Sequence, residues 1–266
     1  MVPVSVVIIT KNEAEVIASC INAAKLITDD IIVIDNGSTD NTREIAFAAG
    51  CQVYRQEWDG YGANKNKGIA LASYNWILSI DADEIADEEL IRSLHEVKLN
   101  NPEIVYDIKF KSYFGKKPIN FGTWGRDHHI RLFNRRHVKW SELPVHETLI
   151  LPRSILTKKL DGHLHHYSVK DRNEYCDKTI HYARLSAEKY RLNGKKANFI
   201  KLHLSPLFHF FRNYILFLGF LDGREGWDIA RIISKHTRLK YRYLKENTIN
   251  PPREKEIIKD NFVVEY

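Results

Sequence analysis

The chain has 266 residues, of which 44% are hydrophobic and 28% are charged, with 13 Gly and 8 Pro. This composition is that of a globular protein with one large domain, or one domain plus an appendage, and it excludes collagen-like and wholly disordered chains. Three scattered cysteines, Cys20, Cys51 and Cys176, are too few for a disulfide framework and lack the spacing of a CxxC metal site. A reducing compartment is therefore the simpler expectation.

The net charge of +6 is unevenly distributed along the chain. Residues 1–100 hold 8 basic and 16 acidic side chains, whereas residues 101–266 hold 32 basic and 18 acidic ones together with 11 of the 12 His. The acidic part suits a metal site, and the basic part suits phosphate, nucleic acid or an anionic membrane face. The alternative is that the basic helices are simply solvated.

Neither a signal peptide nor a membrane span is expected. The first residues lack the basic flank and the cleavage site of a signal peptide. The apolar run at 214–221 has about 8 residues, where a span needs about 20. We therefore expect a protein that is not secreted by the usual route and is not integral to a membrane.

Strands and helices alternate through the first hundred residues. Short apolar runs typical of buried parallel strands lie at 4–9, 31–34, 52–54 and 76–80. Helical periodicity and capping residues predict helices over 12–25, 40–49, 63–72 and 87–99. This alternation predicts βαβ units and a parallel sheet.

The pattern changes after Pro102. Strands are predicted in a looser setting at 104–110, 130–133 and 148–151. Residues 171–246 are almost entirely helical, with predicted breaks at 193–194, 205–206 and 222–223. The tail beyond, with prolines at 251 and 252, is expected to be partly extended.

Two carboxylates, Asp81 and Asp83, directly follow the predicted strand at 76–80, and Glu84 comes next. The carboxyl end of a strand faces the usual ligand crevice of an open α/β sheet. Hard oxygen ligands suit Mg²⁺ or Mn²⁺, which also take phosphate oxygens and water. Acidic residues after a strand are also frequent helix N-caps, so the pair alone leaves both readings open.

Polar residues also follow the first two predicted strands. Thr10, Asn12 and Glu13 come after the first, and Asp35 comes after the second. The turn at 36–37 and helix capping by Ser38 or Asp40 explain the residues beyond Asp35 but not Asp35 itself. Three strands thus end in polar side chains at one edge of the predicted sheet.

Together these segments resemble the nucleotide-sugar-binding domain of family 2 glycosyltransferases, which have the GT-A fold. The resemblance covers roughly residues 1–170 and is carried by VSVVIITKNEAEVI at 4–17, VIDNGSTDNT at 33–42, GYGANKNKGIALA at 60–72 and WILSIDADE at 76–84. A narrower group of bacterial lipopolysaccharide-core enzymes, WaaE- or KdtX-like, is similar at IRLFNRR (130–136), VHETLI (145–150), LHHYSV (164–169) and FLDGREG (220–226).

The resemblance implies an α/β protein: a GT-A domain with a Rossmann-like, mostly parallel sheet, followed by a mainly helical C-terminal region. It divides the chain into a nucleotide-sugar-binding half at 1–100, an acceptor-binding half at 101–170 and a basic amphipathic helical region at 171–266. It also implies an inverting, metal-dependent transferase that moves a hexose from a UDP-linked donor to a glycan or glycolipid, in lipopolysaccharide core or cell-surface polysaccharide synthesis.

The resemblance assigns donor-side roles residue by residue. Thr10, Asn12 and Glu13 would line the nucleobase and ribose pocket. Asp35 would accept hydrogen bonds from the base or ribose, and Lys65 would approach the base or the pyrophosphate.

It likewise assigns the metal site. Asp81 would face the ribose or a metal-bound water, and Asp83 would ligate the Mn²⁺ or Mg²⁺ that bridges the diphosphate. His166 would contact the metal or the diphosphate, with His165 as the alternative if the register differs by one. The dense histidines at 163–166 are otherwise typical of a solvent-exposed edge strand.

The resemblance places the general base at Glu147, where a carboxylate could take a proton from the acceptor hydroxyl as it attacks C1 opposite the diphosphate. Such a single displacement inverts the anomeric configuration. Glu147 could instead pair with Arg131, Arg135 or Arg136, and Asp127 is the second candidate for the base.

The apolar and basic C-terminal helices predict a peripheral protein on an anionic membrane surface, at the cytoplasmic face of the inner membrane. The alternative is packing on the protein itself or on a second subunit. A sugar nucleotidyltransferase is a weaker alternative, since residues 10–13 lack the Gly-rich loop that such enzymes carry. A basic nucleic-acid-binding protein lacks support, since no RRM, KH or zinc-finger pattern is present.

Overall fold

The structure is a computed structural model that describes residues 2–142 and 148–249 of the chain. It forms two compact units. The first unit comprises Met1–Lys111 and Asp127–His166, and the second comprises Ser112–Arg126 and Tyr167–Tyr266. The division into three regions that the resemblance implies stays a prediction.

Eleven strands lie in the described residues. They are β1 (Val4–Thr10), β2 (Ile31–Asp35), β3 (Gln52–Arg55), β4 (Trp76–Asp81), β5 (Glu84–Ala86), β6 (Ile104–Phe114), β7 (Lys117–Pro118), β8 (His128–Asn134), β9 (Lys139–Trp140), β10 (Leu149–Ile150) and β11 (Leu156–Val169). The main sheet has the order β3-β2-β1-β4-β8-β6-β11-β5, with β7 beside β6, and β9 and β10 form a separate pair.

Three helices of the first unit connect its parallel strands, and a fourth follows β5. They are α1 (Ile17–Lys25), α2 (Thr42–Ala48), α3 (Tyr61–Leu71) and α4 (Glu88–Glu96). The strands β3, β2, β1 and β4 are parallel to one another, which confirms the predicted βαβ units. The register sets Thr10 opposite Asp35 and Ile9 opposite Asp81, so the polar ends of these strands meet at one edge.

The helix α1 begins at Ile17, although the sequence pattern predicts a helix from residue 12. The intervening residues form a loop because their backbone N–H groups donate to side chains of the segment at 38–42. Asn12 donates to Ser38 Oγ (2.9 Å), Glu13 to Thr42 Oγ1 (2.8 Å) and Ala14 to Asp40 Oδ2 (3.1 Å). Asn12 has φ of 55°, in the left-handed region that asparagine tolerates better than most residues.

The buried β1 separates two apolar clusters because its side chains alternate between the faces of the sheet. Val6 and Ile8 pack with α1 and α4 on one face, whereas Val7 packs with Ile69 of α3 on the other. Gly68 permits that close approach: a Cβ added there would lie 2.5 Å from Val7 Cγ1.

The helices of the second unit are α5 (Arg172–Leu192), α6 (Ser205–Phe211) and α7 (Gly223–Ile249). Turns of π-helix at Ile200–Leu204 and Arg212–Leu216 flank α6. Pro206 stands in the first turn of α6, where its missing N–H costs little. The predicted breaks at 193–194 and 222–223 fall at the end of α5 and the start of α7. The tail prolines lie outside the described residues.

The predicted fold class is confirmed: an α/β domain with a mixed sheet, whose β3, β2, β1 and β4 form the parallel, Rossmann-like part, is followed by a mainly helical C-terminal region. The pairings of β8 with β4 and β6, of β6 with β7 and of β11 with β5 are antiparallel. Within the described ranges, no one helix has the length and apolar character needed to cross a membrane. The segments Ile200–Leu216 and Gly219–Glu246, bent by 71° at their junction, meet that requirement only when taken together.

Candidate active site

The acidic motif lies in a tight connection between β4 and β5. Asp81 is the last residue of β4, Asp83 lies in the turn, and Glu84 begins β5. The Glu84 carboxylate accepts the backbone N–H of Asp81 at 3.2 Å, which closes the turn. The motif therefore occupies the carboxyl edge of the parallel sheet, where open α/β sheets bind ligands.

Asp81 is held between two cationic side chains. Lys65 Nζ lies 3.1 Å from Asp81 Oδ1, and Arg131 Nη2 lies 3.5 Å from Asp81 Oδ2. Burial raises the pKa of Asp81, but the charges of Lys65 and Arg131 outweigh burial and bring this pKa down to about 2. Lys65 is itself buried and stands 4.6 Å from the centroid of the Trp140 ring. Asp81 is thus an ionised carboxylate with both oxygens engaged.

Glu84 and Arg131 form a buried ion pair beneath the motif, with side chains 1% and 8% exposed. Burial, reinforced by the negative charge of Asp81, raises the pKa of Glu84 even though Arg131 favours the ionised form. Neither residue was assigned to the site from the sequence. The only sequence signal for Glu84 is its position next to Asp83, and Arg131 has none, because β8 reaches the motif through antiparallel pairing with β4.

Asp83 meets a histidine from a distant strand. Asp83 Oδ2 lies 3.4 Å from His166 Nε2, because β11 runs antiparallel to β5 with His166 opposite Glu84. Burial lowers the pKa of His166, but the charge and hydrogen bond of Asp83 outweigh it and raise this pKa to about 9. His163 and His165 instead face Asp87, at 3.3 and 3.9 Å. The alternation along β11 thus brings His166, and not His165, to Asp83.

The Asp83–His166 pair fits a divalent cation. It offers one carboxylate oxygen and one imidazole nitrogen in close proximity, and both side chains remain partly open, at 19% and 25% exposure. Mn²⁺ accepts such a mixed set and completes its shell with phosphate oxygens and water. Across residues 2–142 and 148–249, the one set of three ligand atoms within 4.8 Å is Asp87, Glu89 and His163. At the acidic motif the protein therefore supplies two close ligand atoms, which leaves coordination positions for a ligand.

Asp35 stabilises the turn that follows it. Its side chain is fully buried, and its oxygens accept the backbone N–H groups of Gly37 (3.1 Å) and Ser38 (3.1 Å to Oδ2). Arg43 Nε lies 3.9 Å away. Gly37 has φ of 86°, which favours glycine at this turn. The predicted contact of Asp35 with the base or ribose stays a prediction.

Asn12 joins the loops after β1 and β2. Its Oδ1 accepts the backbone N–H of Thr39 at 2.7 Å. Thr10 is buried at the end of β1, and among the described residues its hydroxyl has no hydrogen-bond partner. Glu13 lies in the same loop. The structure thus brings Thr10, Asn12, Glu13 and Asp35 to one edge of the sheet, and their nucleotide contacts stay predictions.

Asp127 pairs with a histidine beside the metal-site candidates. His129 Nε2 lies 3.0 Å from Asp127 Oδ1, and the Phe110 ring lies between His129 and His166, at centroid distances of 5.1 and 5.6 Å. Burial raises the pKa of Asp127. The hydrogen bond from His129 and the positive charges of His129 and His166 lower this pKa by more than burial raises it, so the net shift is downward. Glu147 lies outside the described residues.

A parallel run of four strands with an acidic motif at its carboxyl edge is the arrangement of an α/β domain that binds ligands at this edge. The sequence model named Glycosyl transferase family 2 matches residues 5–169, and the chain belongs to that family. The chain is therefore a glycosyltransferase, as the sequence motifs predict.

Two similar sequences align with almost the whole chain, and a solved structure aligns with less than half of it. An uncharacterized glycosyltransferase of Rickettsia prowazekii is 28% identical over 99% of this chain and 93% of its own length. The lipopolysaccharide core biosynthesis glycosyltransferase LpsC of Rhizobium meliloti is 28% identical over 91% of this chain and 90% of its own length. Glucosyl-3-phosphoglycerate synthase of Mycobacterium tuberculosis, solved with Mn²⁺ and UDP-glucose, is 29% identical over 42% of this chain and 43% of its own, with a TM-score of 0.34.

Proposed function

We propose that this chain is an inverting, metal-dependent glycosyltransferase that moves a hexose from a UDP-linked donor to a glycan or glycolipid. The observation that carries the proposal is the Asp83–His166 pair, set beside an Asp81 that Lys65 and Arg131 hold ionised. This arrangement provides two ligand atoms for a cation, next to a carboxylate whose charge is compensated by Lys65 and Arg131. It is what a site for a nucleoside diphosphate needs, since the leaving group is strongly anionic.

The residues at the end of the parallel strands would bind the donor. Thr10, Asn12, Glu13 and Asp35 line the edge at which the nucleobase and ribose are expected, and Asp81 would face the ribose or a metal-bound water. Lys65 is paired with Asp81 in the structure, so we assign it chiefly to orienting this carboxylate. A divalent cation, Mn²⁺ or Mg²⁺, held by Asp83 and His166, would neutralise charge on the departing diphosphate.

Two carboxylates compete for the role of general base. Asp127 is the candidate within the described residues, and the net shift of its pKa is downward. We assign the base to Glu147, because the resemblance places an acidic general base at that position, with Asp127 second. Either carboxylate would accept the proton of the acceptor hydroxyl as it attacks C1, with inversion.

The acceptor is proposed to be a glycan or glycolipid of the lipopolysaccharide core or of a cell-surface polysaccharide. The support is the 28% identity with LpsC over 91% of the chain. A lipid acceptor lies at a membrane surface, so the protein would need a surface that binds membranes.

The second unit has features of a peripheral membrane protein. Large apolar side chains at least half exposed are concentrated in the segment that contains α6: Phe199, Ile200, Leu204, Leu207, Phe208, Phe211 and Leu216. On α7, five exposed basic residues recur at alternating spacings of four and three, which sets them on one helix face: Arg231, Lys235, Arg238, Arg242 and Lys245. We call this face the basic stripe of α7. It supports binding to an anionic surface, which we place at the cytoplasmic face of the inner membrane.

A donor screen tests the proposal. The full chain is incubated with Mn²⁺, a panel of nucleotide sugars and a detergent-dispersed core glycolipid, and released nucleoside diphosphate is measured. We expect UDP release that requires the acceptor, and a product whose anomeric configuration is opposite to that of the donor. Retention would contradict a single displacement, and absence of nucleoside diphosphate release with every donor and acceptor would contradict the proposal.

A further inference from the structure

Two arginines of the second unit, Arg126 and Arg212, share the ring of Phe217. The guanidinium carbon of Arg126 lies 4.5 Å from the ring centroid, and that of Arg212 lies 5.7 Å from it. An arginine over an aromatic face is a favourable contact. Two arginines at one ring also repel each other, and an anion between or beside them would relieve this repulsion.

The protein supplies no such anion in the part of the chain that the structure describes. No carboxylate there forms an ion pair with Arg126 or Arg212. The Nε of Arg212 is buried and has no hydrogen-bond partner among these residues. A buried donor without a partner is costly, so this guanidinium is incompletely satisfied by the protein.

The remaining neighbour of Arg212 adds no negative charge. Arg212 Nη2 lies 3.2 Å from His209 Nδ1. Burial lowers the pKa of His209, and the positive charges of Arg212 and Lys240 lower it further. The imidazole is therefore neutral at neutral pH, and Lys240 contributes to the positive potential around Arg212.

The loop that carries Arg126 is fixed to the segment that carries Arg212. Asn213, which is 1% exposed, accepts the backbone N–H of Thr123 at 2.7 Å and its hydroxyl at 2.9 Å. The backbone N–H of Gly122 donates to the carbonyl oxygen of Phe217 at 2.9 Å. These contacts hold together the two segments that carry the arginines before any ligand binds, which reduces the entropy cost of binding one.

The close approach at this loop depends on glycine. Gly122 has φ of 68°, and a Cβ there would lie 2.9 Å from Asn213 Oδ1. Arg212 also begins a π-helical turn, a conformation that is rare and often found at functional sites.

Exposed apolar side chains flank Arg212 in the sequence. Phe208, Phe211 and Leu216 are 55%, 50% and 54% exposed. A ligand that joins a phosphate to hydrocarbon would satisfy both features, because the phosphate could accept the guanidinium N–H groups while its chains cover the apolar residues.

We propose that Arg126 and Arg212 form a binding site for the phosphate group of an amphiphile. This inference rests on the proposed function and deepens it. It names the phosphate as the group by which the protein would recognise the acceptor glycolipid or the phospholipid around it. The planar guanidiniums present paired donors that match phosphate oxygens.

Isothermal titration of the full chain with short-chain phosphatidic acid, below its micelle concentration, tests the site. Arg126→Gln and Arg212→Gln should each weaken binding by about tenfold or more, the usual effect of losing a hydrogen bond to a charged group. Arg92→Gln removes one exposed positive charge from α4 of the first unit and serves as the matched control, with an expected effect below about twofold. Inorganic phosphate forms the second arm.

The two arms identify the source of the phosphate. Tight binding of phosphatidic acid with weak binding of inorganic phosphate assigns the site to a lipid, whereas equal binding assigns it to the phosphate alone; both outcomes support a phosphate site that needs the two arginines. Unchanged binding in Arg126→Gln and Arg212→Gln, or an equal loss in Arg92→Gln, would overturn it. Arg126 is exposed, so its variant keeps the test decisive if Arg212→Gln unfolds.

A thermal shift with UDP and Mn²⁺ separates this inference from the proposed function. The nucleotide residues lie in the first unit, whereas Arg126 and Arg212 lie in the second. A normal nucleotide response with no phosphate binding would reject only the inference. Absence of any response to UDP and Mn²⁺ would count against the proposed function instead.

Discussion

Asp83 Oδ2 lies 3.4 Å from His166 Nε2, although His166 is the last residue of the first unit and Asp83 lies far from it in the sequence. The contact exists because the short β5 follows directly after the acidic motif and pairs antiparallel with β11. One sheet register therefore sets both the carboxylate and the imidazole of the proposed metal site.

Asp83→Ala should abolish sugar transfer while the protein stays folded, because it removes the carboxylate ligand of the proposed site. EDTA should have the same effect on the parent protein. The loss of transfer activity should be large, because a bound cation stabilises the leaving group by several kcal/mol. Transfer assays and thermal unfolding check both points. Full activity in EDTA would remove the metal from the mechanism.

His166→Gln and His165→Gln form a matched pair on one strand. His166→Gln should weaken Mn²⁺ binding by roughly 10- to 100-fold, because it removes an imidazole ligand next to Asp83. His165→Gln should change it little, since His165 faces Asp87. Titration of Mn²⁺ in the presence of UDP measures the difference. Equal losses in the two variants would contradict the proposed role of His166.

Glu147→Gln keeps the shape of the side chain but cannot accept a proton at neutral pH. Transfer should fall by roughly 10²- to 10⁴-fold, the usual range for loss of a general base. Donor affinity, measured by UDP titration, should stay within a few-fold, because Glu147 is assigned to the acceptor side.

Asp127→Asn is the companion variant and should cost less, because Asp127 is the second candidate for the base. An inactive Asp127→Asn with a nearly normal Glu147→Gln would reverse the two assignments. If both variants unfold, Glu147 is better explained as an ion-pair partner of nearby arginines.

Arg131→Met should destabilise the protein by about 3–5 kcal/mol, because it leaves Glu84 buried without its partner. Replacing Glu84 by Leu as well should restore part of that loss, since the double variant has no unpaired buried charge. Urea unfolding of the single and double variants gives the coupling free energy. Additive losses would show that the pair contributes no coupling.

Replacing Arg231, Lys235, Arg238 and Arg242 of the basic stripe by Gln should weaken binding to anionic vesicles. Each basic residue near such a surface is worth about 1 kcal/mol, so the combined effect should be large and salt-dependent. UDP affinity should not change. Vesicle co-sedimentation at two salt concentrations measures the effect.

The control for that experiment removes the same charge from the first unit. Lys25, Lys98, Lys158 and Lys159 are exposed there, and their replacement by Gln should reduce vesicle binding much less. Equal losses would indicate a general charge effect, and unchanged binding in the stripe variant would favour packing of α7 on a second subunit.

The parallel half of the fold could be predicted from the sequence because its signals are local. Each buried strand is a short apolar run, and the helices between them show their own periodicity. The start of α1 could not be predicted, because side chains at 38–42 hold residues 12–14 in a loop. The short β5 and most of the long β11 were also not predicted, because both depend on antiparallel pairing between distant segments.

The sequence by itself determined the family, the fold class and the acidic motif at the end of β4, because these depend on residues that are close together in the chain. Only the tertiary structure decided which side chains meet there. It brought His166, and not His165, to Asp83, and it set Arg131 and Lys65 on Asp81. The physical reason is that strand register and the burial of charge act between segments far apart in the sequence, where local patterns carry no information.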